Sequence, residues 1–197
     1  MCGRYYIGEK LIDQVQKVIG GIDMSMAQVF CGDITPAMKA PVIAGRNNKP
    51  VLEQMTWGFH KFENQGLIIN ARAETVTEKR LFKECVKYRR ILIPASGFYE
   101  WDKDKNKVTF TLEGQPVLFL AGFYQRTEDA PEGRFVVMTT AANKSMEAVH
   151  ERMPLMLKPE SIDPWLYSED VPDDLIRADM PMLTAYREYE QQTLFPV

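Results

Sequence analysis

Cysteine is scarce in this chain: Cys2, Cys31 and Cys85 are the only three in 197 residues. An odd number without metal-type spacing excludes a disulfide scaffold and a zinc ribbon, and it fits a reducing compartment. Histidine is scarcer, with only His60 and His150, and no metal or cofactor is expected. Long apolar runs are missing. The longest, Pro116 to Tyr124, is far short of the roughly 20 residues a membrane helix needs. No basic stretch leads into an apolar run at the start, so neither a secretory signal nor membrane association is expected, and the protein reads as cytoplasmic. Charge of one sign is lacking too. Lys and Arg number 24 against 27 Asp and Glu, a net charge of −3, which argues against a wholly basic nucleic-acid binder. The distribution is nevertheless uneven. Arg72, Lys79, Arg80, Lys83, Lys87, Arg89 and Arg90 crowd one segment, and Glu160, Asp163, Glu169, Asp170, Asp173 and Asp174 another.

What is present reads as one α+β domain over residues 1–197, long enough for a core that needs no staples. Leu11, Ile12, Val15, Val18 and Ile19 recur at helical spacing within 9–19, and Gly20-Gly21 ends that helix. Short strands are expected at 41–44, 51–57 and 67–70. A helix is expected over 75–86, capped by Thr75 or Thr77. Ile91-Leu92-Ile93 leads through a small-residue bend into Gly97–Trp101, read as a strand pair. Segment 107–112 alternates and is followed, after a turn at Gly114, by 116–124, and 135–140 is another strand. Short helices are expected over 143–149 and from Pro159 to near Tyr167. Many short strands without regular strand–helix alternation imply a curled, largely antiparallel mixed sheet, barrel-like, with a few flanking helices. Asp102, Asp104, Asn106 and Glu113 fit positions 1, 3, 5 and 12 of a calcium-loop template, but Lys107 stands where its glycine must be. That stretch reads as a polar hairpin loop.

The opening Met1-Cys2-Gly3-Arg4 is the most telling local feature. Removal of Met1 would leave an α-amine and a thiol on one residue. These groups titrate near ~8 and ~8.5, so each is partly reactive at neutrality. An aldehyde would first form a Schiff base with the amine, and thiol addition would then close a five-membered thiazolidine. Three further patterns carry possible chemistry. Asn70-Ala71-Arg72 places an amide and a guanidinium two apart at a strand end. Gly97-Phe98-Tyr99-Glu100-Trp101 sets a carboxyl between aromatics, where loss of water favours the protonated form and suits general acid work. His150-Glu151-Arg152-Met153-Pro154 holds one of the two histidines. Taken singly, each has a plain structural reading: a half-buried acid, a turn residue, a helix-end cap.

Together these motifs resemble the SRAP family, the SOS response-associated peptidases or abasic-site processing proteins. The landmarks are MCGR at 1, NARAET at 70, GFYEW at 97, VVMTTAAN at 136 and HERMP at 150, in family order. The resemblance implies that mature Cys2 joins covalently to the ring-opened aldehyde of an abasic site in single-stranded DNA. It implies that Asn70 positions the cysteine amine, that Glu100 serves as acid and base, and that His150 assists proton transfer near the sugar and its 3′ phosphate. Arg4, Arg72, Arg80 and Arg152 match phosphate-contacting positions. It further implies self-removal of Met1, strand cleavage by β-elimination as a side activity, a monomer, and association with the bacterial nucleoid when engaged on DNA.

The sequence departs from the family in places. Cys31-Gly32-Asp33-Ile34-Thr35-Pro36 replaces a tyrosine-asparagine pair, and Asp33 would repel phosphate. The loop 60–66 lacks stacking tryptophans, leaving Phe62 or His60 as substitutes with weaker stacking. The tail from Gln192 matches loosely. The alternative reading is an N-terminal-nucleophile cysteine amidotransferase or hydrolase, which also begins Met-Cys-Gly, but its later arginine-histidine and Asn-Gly landmarks are missing. A non-enzymatic single-strand-binding module would need the arginines and not Cys2, Glu100 or His150.

Overall fold

The computed structural model describes residues 2–25, 31–61 and 65–187. In chain order its strands are β1 (Arg4–Ile7), β2 (Gly32–Ile34), β3 (Lys39–Arg46), β4 (Lys49–Trp57), β5 (Phe59–His60), β6 (Leu67–Ile68), β7 (Asn70–Arg72), β8 (Arg90–Ala95), β9 (Gly97–Trp101), β10 (Lys107–Thr111), β11 (Leu118–Thr127), β12 (Ala130–Ala141), β13 (Arg152–Pro154), β14 (Met156–Leu157) and β15 (Thr184–Arg187). The helices are α1 (Leu11–Val18), α2 (Lys83–Tyr88), α3 (Ile162–Tyr167) and α4 (Asp173–Ile176).

Alternation builds the sheets. Tyr5 and Ile7 of β1 turn inward, as do Val108 and Phe110 of β10, while their neighbours are partly exposed. Strand β8 is buried along its whole length and β11 from Leu118 to Tyr124, the pattern of strands covered on both faces. Pairing closes a ring: β12 runs parallel to β4, β4 pairs with β3, β3 with β8, β8 with β11, and β11 returns to β12, these last four antiparallel. This is the expected curled, barrel-like mixed sheet. Short strands extend it, with β7 on β12 in parallel, β13 antiparallel on β12, and β14 on β11. A second, antiparallel sheet runs β15-β10-β9-β1-β2. The core between holds Trp57, Phe59, Phe98, Phe110, Phe123, Phe135 and Trp165, all fully buried. Each such side chain stabilises the fold by about 1.5–3 kcal/mol relative to exposure.

Several local expectations change in the fold. The strands β8 and β9 follow one another but do not pair; the bend at Ser96 carries the chain from the ring into the second sheet. Its backbone N–H donates to the Tyr6 carbonyl at 2.9 Å, and its Oγ accepts from the Gly8 N–H at 3.0 Å. The segment 75–86 is not one helix. It makes a 3-10 turn over Ala73–Thr75, then further turns, and only then α2, which neither Thr75 nor Thr77 caps. A continuous helix would set Val76 and Cys85 about 180° apart, whereas both are buried. Breaking the helix buries both and seats Phe82 against Phe59 and Phe123. Residues 144–149 are turns rather than a helix. There Asn143 Oδ1 captures the Ser145 N–H at 3.0 Å, the local competition that disfavours asparagine in helices. The loop after β9 is the polar hairpin expected. Asp102 Oδ1 accepts the N–H groups of Asp104 and Asn106 at 3.0 and 2.9 Å, and β9 pairs with β10. Among the described residues no helix is long and apolar enough to cross a membrane.

Candidate functional site

Cys2 lies two residues before β1, across Gly3, and is 1% exposed. The Asn70 Nδ2 donates to its carbonyl oxygen at 3.0 Å, which ties the start of the second sheet to β7 of the ring. Its Sγ lies 3.9 Å from the Arg4 carbonyl oxygen as a weak donor. Burial pushes the Cys2 thiol from 9.0 up to about 12, and the negative charge of Glu100 pushes the same way. With residue 1 attached, the thiol is therefore held neutral at physiological pH, because desolvation outweighs the ordinary thiol acidity. Met1, and Phe62 with the stacking role expected of it, lie outside the described residues. His60 ends β5 in an exposed position.

Glu100 sits on β9 with 4% exposure, close enough for its charge to act on the Cys2 sulfur. The alternation of β9 turns Phe98 and Glu100 inward and Trp101 outward. Asn70 begins β7 opposite Val137 of β12. Its Nδ2 is engaged by Cys2, while its buried Oδ1 has no hydrogen-bond partner among the described residues. His150 ends the turns that follow β12. Its Nδ1 accepts the Arg152 backbone N–H at 2.9 Å, so the neutral ring carries its proton on Nε2. The strands β7 and β13 both pair with Thr139 of β12, so the carriers of Asn70 and Arg152 flank one strand.

The four arginines differ in setting. Arg4 on β1 is half-exposed, 5.4 Å from the Trp101 ring centroid and 3.6 Å from Asp33. Arg72 ends β7 and Arg80 lies in the turns before α2, both exposed. Arg152 is different: its side chain is 12% exposed and already engaged. Its two terminal nitrogens bond the two Glu74 carboxylate oxygens at 2.6 and 2.9 Å, and one also donates to the Thr139 carbonyl at 2.6 Å. Arg90, counted with the basic run, is buried and donates to the carbonyls of Val86, Lys87, Trp165 and Ser168. It fastens α2 to α3.

Two residues at the site escaped the reading of the sequence. Tyr5 is fully buried, its ring lies 5.3 Å from that of Trp57, and its hydroxyl has no hydrogen-bond partner among the described residues. Burial first, and then the nearby Cys2, hold its phenol protonated. The inward alternation of Tyr5 and Ile7 was a signal for it. Glu74, inside NARAET, is the partner of Arg152, and no local pattern links residues 78 positions apart.

The comparisons with known proteins agree on one family. The family description "SOS response associated peptidase (SRAP)" matches residues 1–197. The abasic site processing protein YoqW of Bacillus subtilis is 31% identical, covering 90% of this chain and 85% of its own. Its Escherichia coli counterpart YedK is 28% identical, covering 86% and 81%. Among solved structures, a phage-related protein from Bordetella bronchiseptica superposes with a TM-score of 0.78 at 24% identity, covering 96% of this chain and 95% of that one. A protein from Bacteroides thetaiotaomicron gives 0.75 at 18% identity, covering 94% and 91%, which shows the same fold. This chain belongs to the SOS response associated peptidase (SRAP) family.

Proposed function

We propose that this protein processes abasic sites, forming a covalent link between mature Cys2 and the aldehyde of an abasic site in single-stranded DNA. The observation that carries the reading is the setting of Cys2: buried, gripped through its carbonyl by Asn70 and within electrostatic reach of Glu100. Chain starts usually fray, so a start held this firmly suits a reacting group. Relatives described as abasic site processing proteins support the substrate class.

The chemistry follows from the groups present. Removal of Met1, by the protein itself in this reading, converts an unreactive amide nitrogen into an amine. The buried Oδ1 of Asn70 is an acceptor for that amine. Its lone pair adds to C1′ of the opened sugar. The carbinolamine loses water as Glu100 protonates the departing hydroxyl, giving the imine. The neutral Cys2 thiol then adds, sulfur to C1′ and proton to nitrogen, closing the thiazolidine. The sum is aldehyde plus aminothiol giving thiazolidine plus one water. With the thiol protonated, the amine acts first. His150, with its proton on Nε2, assists transfer at the sugar and 3′ phosphate. Loss of a C2′ proton from the imine would instead cleave the strand, the lyase side reaction that ring closure suppresses. Arg4, Arg72, Arg80 and Arg152 serve as phosphate contacts on a protein acting as a monomer in the cytoplasm.

A denaturing gel of the protein with an abasic single-stranded oligonucleotide tests this, with intact mass reporting the fraction lacking Met1. A shifted covalent band should appear in proportion to that fraction. Cys2→Ser and Cys2→Ala, which keep the amine and lack the thiol, should both bind DNA and give an adduct only when borohydride traps the imine. Glu100→Gln should slow adduct formation by roughly 10²-fold, the usual size of an acid–base contribution. A full yield from protein retaining Met1 would sink the amine mechanism.

A further inference from the structure

Arg152 is assigned to phosphate in the reading above, yet its guanidinium is not open to solvent. The fork faces Glu74, whose two oxygens lie 2.6 and 2.9 Å from its two terminal nitrogens. Bidentate carboxylate and bidentate phosphate use the same two parallel N–H donors, so one excludes the other. Exposure is unequal: the Glu74 side chain is 48% exposed and that of Arg152 only 12%. An approaching strand therefore meets a carboxylate where the sequence promises a guanidinium. Arg152 is held from behind by the Thr139 carbonyl at 2.6 Å, which keeps the fork in place when its partner changes. Arg72 also acts electrostatically on Glu74, after the Arg152 and desolvation contributions. The Arg152 hydrogen bonds, first among several causes, hold the Glu74 carboxyl below its usual range, so it is charged at neutral pH. Asp33 stands near Arg4 in a looser version of the same arrangement, at 3.6 Å with both side chains well exposed.

We propose that Glu74 is a specificity-determining residue, a resident carboxylate that fills the Arg152 fork in place of a DNA phosphate and must yield it when a strand binds. The exchange weakens the hold on undamaged single-stranded DNA. Retention then depends on the covalent bond, which only an abasic site can form. This rests on the abasic-site reading and adds a residue to it.

Equilibrium binding of an undamaged oligothymidylate to the full-length protein, measured across a salt series, tests the proposal. Glu74→Gln removes the charge and leaves only one oxygen for the fork. It should tighten binding about 2- to 5-fold at low salt, the scale of one exposed ion pair that no longer has to be broken. The gain should vanish when Arg152→Gln is combined with it. Glu74→Asp, which keeps the charge, should stay near the wild-type affinity. If Glu74→Gln does not fold, Glu74→Ala supplies the same readout. Unchanged or weaker binding by the neutral variants, or a gain that survives Arg152→Gln, would overturn the proposal. A wild-type protein that binds single-stranded DNA and crosslinks abasic sites leaves the functional reading standing in that event. A wild type that does neither overturns both.

Discussion

The Cys2 thiol is set by its surroundings rather than by its residue type. An exposed N-terminal cysteine would ionise near its ordinary value; here burial carries it from 9.0 to about 12, with Glu100 adding to the effect. Because the folded value lies above the unfolded one, this group's contribution to stability is complete below pH 9 and lost as pH rises toward about 12. Tyr5, raised well above 10.0 by burial and then by Cys2, acts in the same direction. The urea midpoint should therefore fall between about pH 8 and about pH 11, and less steeply in Cys2→Ala than in wild type. Equal slopes in the two proteins would mean that the thiol is not desolvated. In the reaction proposed above, the same protonated thiol lets the amine act first and the sulfur follow.

At the scale of elements, β9 does two jobs: it presents Glu100 and it packs against β1. Its first residue has to be glycine. A Cβ at Gly97 would lie 2.6 Å from Tyr6 Cε1 and 2.7 Å from the Phe110 carbonyl oxygen. The ring could turn aside, but the carbonyl belongs to the β10 ladder and cannot. Gly97→Ala should thus destabilise by roughly 1–3 kcal/mol, the range for overpacking, visible in the denaturation midpoint. It should also lower adduct yield at saturating DNA, since a displaced β9 moves Glu100. A variant of wild-type stability and yield would show that the strand has room to spare. The turns over 144–149 are the second element that matters. Asn143 Nδ2 donates to the carbonyls of Met180 and Pro181 at 3.0 and 2.8 Å, and Ser145 Oγ accepts the Leu183 N–H at 3.0 Å. These bonds fasten the segment before β15 to the turns that precede His150. Through β15 and β10 that segment also abuts β9, so the carriers of His150 and Glu100 share one brace.

For the whole molecule, the candidate site lies at a seam. Cys2 and Glu100 come from the second sheet, Asn70 and His150 from the ring and its extensions, and the Asn70–Cys2 bond crosses between them. The uneven charge of the sequence is partly cancelled in three dimensions. Lys87 pairs with Asp170 at 3.6 Å, and Arg90 is consumed by helix-end carbonyls. In the function proposed above, Arg4, Arg72, Arg80 and Arg152 carry the phosphate contacts, while Lys79 and Lys83 stay exposed beside them. Binding should accordingly show a log–log salt slope of roughly −2 to −3, about −0.7 per phosphate contact. A flat response would exclude an arginine cradle. A slope several units steeper would mean that the lysines of 79–87 contribute as well.

Much of this was legible in the chain itself. Periodicity located α1 and most strands because burial on one face leaves a period of 2 or 3.6 residues in any sequence that folds that way. The family was legible because MCGR, NARAET, GFYEW and HERMP stand along the chain in family order. The rest depended on long-range packing. The helix expected over 75–86 broke because Val76, Phe82 and Cys85 all find burial only when the chain turns between them. The chain crosses between sheets at Ser96 although β8 and β9 look like neighbours, since pairing partners are chosen by the closing of the ring. Tertiary structure alone decided that the Cys2 thiol loses its water, that Tyr5 lies beside it, and that Glu74 covers Arg152. Desolvation and charge pairing act between groups that the chain brings together from far apart, and local sequence carries no record of them.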